Sequence, residues 1–192
     1  MLKNLPDHFD NPEFRADALR GISKIVSHIN NLIGQLSTVR REFKIQAAES
    51  DLNGVVARSI LGFEKMAGVE LVQELATLPK VALDGEQIIK VITNLVINAK
   101  EASGQNGKIR ISTSQKNGWA VLTVEDNGCG MSPEFLERSL FRPFKTTKKN
   151  GLGIGMFQSK MIVLAHGGRL EASSEVGKGT TFRMSLPLKK QI

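Results

Sequence analysis

The chain has 192 residues, 41% hydrophobic and 23% charged, enough for one packed domain with an appendage. Its net charge of +7 comes with only 5% aromatics and no Tyr, which argues against a nucleic-acid binder that stacks bases between basic residues. A single cysteine, Cys129, excludes an internal disulfide and a cysteine-rich zinc site and suits a reducing, cytoplasmic compartment. No apolar run is long enough to cross a bilayer, and Met1-Leu-Lys-Asn-Leu-Pro is no signal peptide, so membrane contact is expected only through segments absent from this chain.

In chain order, His8-Phe-Asp-Asn-Pro reads as a lead-in loop, and Asn11-Pro12-Glu13 as a helix start with a capping amide, a proline at the first helical position and an acid in the first turn. A heptad seam follows. Ile22, Ile29, Leu36 and Phe43 are seven apart, Ile25, Leu32 and Val39 fall between them, and Val26 and Ile33 widen the stripe toward a bundle. A lone helix cannot bury such a seam, so a partner helix is implied. This helical limb, residues 1–43, is set apart from an α/β region, residues 44–192.

Within that region, 44–48 reads as a short strand, and a helix starts at Asp51 or Asn53 and runs to about Glu64. Val69 to Leu78 reads as a strand. Asp84, with Gln87 three residues on, is a capping box. It opens a helix in which Ile88, Ile89, Val91, Ile92, Leu95, Val96 and Ala99 recur at helical spacing, with Asn94 and Asn98 together on one face. Lys108–Ser114 and Trp119–Glu125 alternate with period two around Lys116-Asn117-Gly118, which predicts a hairpin. Ser132-Pro133-Glu134 starts a short helix to about Ser139, and 142–152 reads as a polar, basic loop. A helix runs from Gly153 to about Ala165, closed by Gly167-Gly168. Strands over 169–174 and 180–188 are joined by the turn Gly177-Lys-Gly179. The expected fold is α+β: a two-layer α/β sandwich whose mixed, largely antiparallel sheet carries helices on one face.

Four stretches carry candidate chemistry. Asn94 and Asn98 are amides in an apolar helix and need partners, since an unpaired buried amide costs about 1–3 kcal/mol by mutational measures. Asp126-Asn-Gly128-Cys-Gly130 ends a strand. Its carboxylate can accept from an amino group such as that of adenine, and its glycines leave room for a flat ligand, although an ordinary turn has the same wording. Gly151-Leu152-Gly153-Ile154-Gly155 opens a helix whose free N–H groups suit phosphates. It is no P-loop and lacks the preceding strand of a dinucleotide fold, and a flexible hinge would read the same. Lys145-Thr146-Thr147-Lys148 offers ammonium and hydroxyl groups on a loop that could close over a polyphosphate, with Phe141 and Phe144 as loop anchors or as core.

Taken together with Gly177-Lys-Gly179-Thr180, these stretches resemble, in order, the N, G1, F, G2 and final glycine-threonine boxes of the catalytic domain of sensor histidine kinases. That superfamily is shared with gyrase, Hsp90 and MutL. The resemblance implies a Bergerat-type ATP-binding fold and a Mg-ATP cofactor. It also implies Mg²⁺ held by Asn98 with Asn94 close by, and Lys148 on the γ-phosphate. Asp126 would accept from the adenine amine, with Gly128 and Gly130 letting the base approach. Lys145, Thr147, Gly151, Leu152, Gly153, Ile154 and Gly155 would line the phosphates, and Thr180 would complete the adenine end. The limb resembles the second helix of the kinase dimerisation and phosphotransfer hairpin. The Phe-Lys-Thr-Thr-Lys wording is similar to nitrogen-regulator-type kinases, and the Asn-Pro-Glu-Phe start to PrsK kinases.

The expected function is therefore transfer of the γ-phosphoryl of Mg-ATP to a histidine on an upstream helix. The implied partners are that helix, a response regulator and a second copy of the full-length protein, which would be membrane-anchored. Two departures stand out. Many such kinases carry Lys three residues after the metal-binding Asn, where this chain has Glu101. None of His8, His28 and His166 has the setting of an acceptor, so the acceptor helix is expected upstream of Met1. ATP hydrolases of the superfamily resemble one another in placing Glu four residues before that Asn. Here the position is Asn94, which cannot act as a general base. An anti-sigma serine kinase and a nucleotide-binding module without catalysis are the remaining alternatives.

Overall fold

The computed structural model describes residues 13, 15–17, 19–21, 45–63, 68–148 and 151–188. The chain divides into two compact units, Met1–Glu42 and Phe43–Ile192. In the first unit the described residues are helical, and Asp17 pairs with Arg20 one turn on at 3.5 Å. The heptad seam, His8 and His28 lie outside the described residues.

The second unit runs β1 (Ala48–Ser50), α1 (Leu52–Ile60), β2 (Val69–Leu75), β3 (Val81–Leu83), α2 (Gly85–Ser103), β4 (Gly107–Lys116), β5 (Trp119–Asp126), α3 (Pro133–Arg138), α4 (Gly155–Ala165), β6 (Arg169–Glu175) and β7 (Gly179–Pro187). Five strands form one sheet in the order β2-β4-β5-β7-β6, parallel only between β2 and β4. The sheet is mixed and mostly antiparallel, as expected. The parallel pair arises because α2 carries the chain from one end of the sheet back to the other between β2 and β4. β1 and β3 form a separate antiparallel pair that the sequence reading lacked. The expected strand over 44–48 falls at Ala48–Ser50 instead.

Helix α2 packs on α1 and on α4, and α2 and α4 pack on the sheet, giving two layers with the core between. The inward series is read directly from the alternation: Ile109, Ile111 and Thr113 on β4; Ala120, Leu122 and Val124 on β5; Phe182, Met184 and Leu186 on β7. Against them α2 sets Ile88, Val91, Ile92, Leu95, Val96 and Ala99, all but water-free. The outer face of β2-β4-β5 is solvated and carries exposed pairs such as Lys108–Glu70 and Arg110–Glu74. The β4–β5 turn has positive φ at both Asn117 and Gly118, the geometry whose twist matches a two-residue hairpin.

The start of α2 is fixed from three sides. Asp84 Oδ1 accepts from Gln87 N–H at 3.2 Å, the forward half of the expected capping box, and Oδ2 accepts from Gln46 N–H at 3.0 Å. The Asp84 N–H donates to His166 Nε2 at 2.9 Å, while His166 Nδ1 lies 2.7 Å from the Ile162 carbonyl. With Nε2 accepting, the proton sits on Nδ1 and donates to that carbonyl. His166 is thus a buried tie between the start of α2 and the end of α4.

Candidate nucleotide site

The inward series of three strands ends in polar residues at one edge of the sandwich. Two positions beyond Val124 the β5 series reaches Asp126; two before Phe182 the β7 series reaches Thr180; Leu170 and Ala172 on β6 lead to Ser174. These three sit side by side, because Asp126 pairs with Thr180 and Thr180 with Ser174. Asp126 Oδ1 accepts from Gly128 N–H at 2.9 Å and Thr180 N–H at 3.2 Å. Among the described residues its other oxygen, Oδ2, accepts no hydrogen bond. Burial pushes the Asp126 carboxyl above its ordinary range, and the two N–H donors only partly offset that. A buried carboxylate with one oxygen spare is an acceptor awaiting a donor. Ser174 Oγ donates to the Gly179 carbonyl at 2.9 Å, lies 3.0 Å from Thr180 Oγ1 and accepts from Met131 N–H at 2.8 Å, so it ties the edge together.

The turn after Asp126 packs on the end of α2. Cys129 N–H donates to the Ala102 carbonyl at 3.0 Å. A Cβ on Gly128 would lie 2.6 Å from that same carbonyl, and one on Gly130 would lie 2.1 Å from the Glu175 carbonyl. The protein's own backbone therefore already demands glycine at both positions. This is a packing reason that the reading of room for a flat ligand did not supply. Cys129 itself is free and exposed.

Farther back along α2 lie the two asparagines, facing the first turn of α4. Asn94 Nδ2 donates to Ser159 Oγ at 3.0 Å and touches Met156 Sδ at 3.5 Å; Asn98 Nδ2 reaches Met156 Sδ at 3.1 Å. Their partners are side chains on another helix rather than nearby backbone. A Cβ on Gly155 would meet Asn94 Oδ1 at 2.6 Å, so a side chain there would have to push that amide aside. With its NH₂ turned to sulfur, Asn98 presents Oδ1 outward, where it accepts from Lys148 Nζ at 2.5 Å; the same ammonium pairs with Glu101.

The remaining segments close on the same place. Gly153 has φ +67°, and a Cβ there would meet the Lys145 backbone at 2.6 Å, so the Gly151–Gly155 run lies against the 145–148 loop. Thr146 Oγ1 accepts from Lys148 N–H at 3.0 Å, while Lys145 and Thr147 are exposed. Leu152 is half-buried and Ile154 buried, so any contact of Ile154 with a ligand would be through its backbone at the start of α4. Of the two loop phenylalanines, Phe141 packs on the core with Lys160 over its ring at 4.4 Å. Phe144 is 52% exposed with φ +63° and anchors nothing in the core.

The turn after Asp126 meets α2 at Ala102, and the first turns of α4 and Lys148 meet it at Asn94, Asn98 and Glu101. At 1.5 Å per residue Ala102 lies about 12 Å along the helix from Asn94. Ser159, Met156 and Ser174 were not anticipated. Ser174 was accessible from its alternation with Leu170 and Ala172, whereas Met156 gave no signal. Among the described residues no cluster of three His, Cys, Asp or Glu forms a metal site, and no helix is long and apolar enough to cross a membrane. The donor set nevertheless fits a magnesium ion brought by a nucleotide. One neutral amide oxygen, oriented outward and already holding a cationic group, is too weak alone but suffices to complete a shell of phosphate and water oxygens.

Comparison with known proteins agrees. The family model described as Histidine kinase-, DNA gyrase B-, and HSP90-like ATPase matches residues 83–190, and the chain belongs to that family. Within it the chain is similar to the signal transduction histidine-protein kinase AtoS of Escherichia coli K12, 34% identical over 175 residues, which cover 88% of this chain and 29% of AtoS. The chain thus spans under a third of that relative. The catalytic domain of the histidine kinase ThkA superposes with TM-score 0.68 at 28% identity, covering 74% of this chain and 96% of that domain. ThkA in complex with its response regulator TrrA superposes with TM-score 0.73 at 25% identity, covering 98% of this chain and 55% of that one. The second unit is an ATP-binding domain of the sensor-kinase type.

Proposed function

We propose that this chain is the ATP-binding catalytic part of a two-component sensor histidine kinase. It would pass the γ-phosphoryl of Mg-ATP to a histidine on a helix outside this chain, and the phosphoryl would then go to a response regulator. The observation that carries the reading is a pair of oxygens left for a ligand: a spare buried carboxylate oxygen at Asp126, whose following turn packs on the end of α2 at Ala102, and an outward amide oxygen at Asn98 farther back on that helix. The first suits an adenine amine and the second the metal-bearing end of the same molecule. Thr180 backs the adenine end by holding Asp126 Oδ1. Gly151, Leu152, Gly153, Ile154 and Gly155 present the start of α4 to the phosphates, with Lys145 and Thr147 within the flanking loop.

Magnesium, when bound, neutralises phosphate charge and fixes the γ-group for in-line attack. The chain's residues do the positioning. Asn98 would supply one metal oxygen, Met156, which Asn94 also touches, holds its orientation, and Lys148 would meet the transferring phosphoryl. In the transfer the bond from γ-phosphorus to the bridging oxygen breaks, a phosphorus–nitrogen bond to the imidazole forms, and ADP leaves. Asn94 favours transfer over hydrolysis: its amide donates to Ser159 and cannot take a proton from water.

The complex of ThkA with TrrA supports a response regulator as partner, and the limb at 1–43 is read as the second helix of a dimerising hairpin, so the full-length protein would be a homodimer. The ATP requirement and the free thiol support a cytoplasmic location. The deciding experiment supplies an acceptor-helix segment with ATP labelled in the γ-position: acid-labile label on the supplied histidine is expected. Release of free phosphate with the histidine unlabelled would instead favour a hydrolase.

A further inference from the structure

The Lys148 ammonium rests on two oxygens of α2, Asn98 Oδ1 and Glu101 Oε2. Three residues apart, these side chains are neighbours on a helix surface, so both reach one point beside the phosphate-facing side of Asn98. Lys148 is also set from its own side, because its N–H is held by Thr146 Oγ1 and its Cβ lies where a side chain on Gly151 would go. A positive group therefore already occupies the place where Asn98 would meet a metal. We infer that Lys148 is a tethered stand-in for the metal, held on Asn98 by Glu101, and that magnesium nucleotide enters by exchanging one cation for the other.

This rests on the proposed role of Asn98. In that exchange Mg²⁺ takes the Asn98 oxygen while the ammonium is released toward the incoming phosphates, so no unbalanced charge is left on the helix except at Glu101. Glu101 is thus a positioning residue that acts through Lys148 and sets how much magnesium nucleotide is needed to open the site. It opposes binding, whereas a carboxylate that ligated the metal would favour it.

The opposite signs make the test. In the full chain, binding of the non-hydrolysable analogue AMPPNP is titrated by calorimetry across a magnesium series. The Lys148–Glu101 pair is about half exposed, 43% and 51% at the two side chains, so its removal should be worth about a two- to fivefold shift. Glu101→Gln is expected to lower the magnesium concentration at half-binding by that factor. In the nucleotide-free chain it should also speed tryptic cleavage after Lys148, located by mass spectrometry. In a Lys148→Met background Glu101→Gln should change nothing further. An unchanged or raised magnesium requirement, or a shift that persists without Lys148, would overturn the inference. Magnesium-dependent AMPPNP binding by an Asn98→Ala variant equal to that of the parent would strike the role of Asn98 itself, and the inference with it.

Discussion

Asp126 shows how one residue can be costly to the fold and necessary to the site. Burial holds its carboxyl above the ordinary aspartate range, with the N–H groups of Gly128 and Thr180 as the partial offset. A raised native-state value means that the stability linked to this group is full at low pH and fades as pH rises through that value, so at neutral pH the charge is a burden on folding. Asp126→Asn keeps an oxygen for Gly128 and Thr180 but turns an NH₂ toward the ligand. The expected outcome is urea stability at pH 7 equal to or above the parent, together with an ATP affinity lower by about tenfold or more, since a donor would face a donor. Equal affinity would remove Asp126 from the adenine role. In the parent, ATP affinity should fall as pH drops through the raised value, above the pH at which a solvent-exposed aspartate would lose its charge. Calorimetry across a pH series reads this directly.

At the scale of elements, what could be read from the chain depended on how local its cause was. Helix α2, its Asp84 cap and the β4–β5 hairpin were legible because alternation, a capping residue and an Asn-Gly turn all lie within a few positions. The three-residue strand β3 was not, since Val81–Leu83 is too short to show a period and exists by pairing with Ala48–Ser50. Nor could the chain reveal that the second half of the capping box would be taken by His166, more than eighty residues on. Burial is the largest single influence on Asp84 and pushes its carboxyl upward. The N–H groups of Gln46, Gln87 and Glu86 and the neighbouring His166 imidazole together bring it below its ordinary value. Its contribution is therefore present above the unfolded value of about 3.9 and lost as pH falls through the native one. Asp84→Ala should cost about 0.5–2 kcal/mol in urea unfolding at pH 7, with a smaller cost in strong acid. His166→Phe should cost about 1–3 kcal/mol in urea unfolding at pH 7, because the Asp84 N–H loses its acceptor.

For the whole molecule, the motifs of the candidate site were more legible than the topology. The motifs are written as contiguous words, while the β2–β4 parallel pairing depends on where a crossover lands. Asp126, Asn98 and Lys148 could be named from the chain; that Lys148 would lie on Asn98 and Glu101 could not, because nothing within ten residues of either specifies it. The sequence settings of the three histidines carry their own expectation. Incubated alone with γ-labelled ATP and magnesium, the chain should bind nucleotide yet retain no acid-labile label, because the acceptor histidine is expected on another helix. Stable labelling of His8, His28 or His166 would refute that.

The close approach of Gly155 to Asn94 has an engineering consequence. The amide oxygen of Asn94 fills the volume that any side chain at 155 would require, so the two positions behave as a bump and a hole across two helices. Gly155→Ala alone should evict that amide and lower the melting temperature. Gly155→Ala combined with Asn94→Ala should recover part of the loss, a non-additivity measurable by a thermal double-mutant cycle. A side chain could therefore be acquired at 155 at low cost only where position 94 had already become smaller, which fixes the order in which the two substitutions can be made.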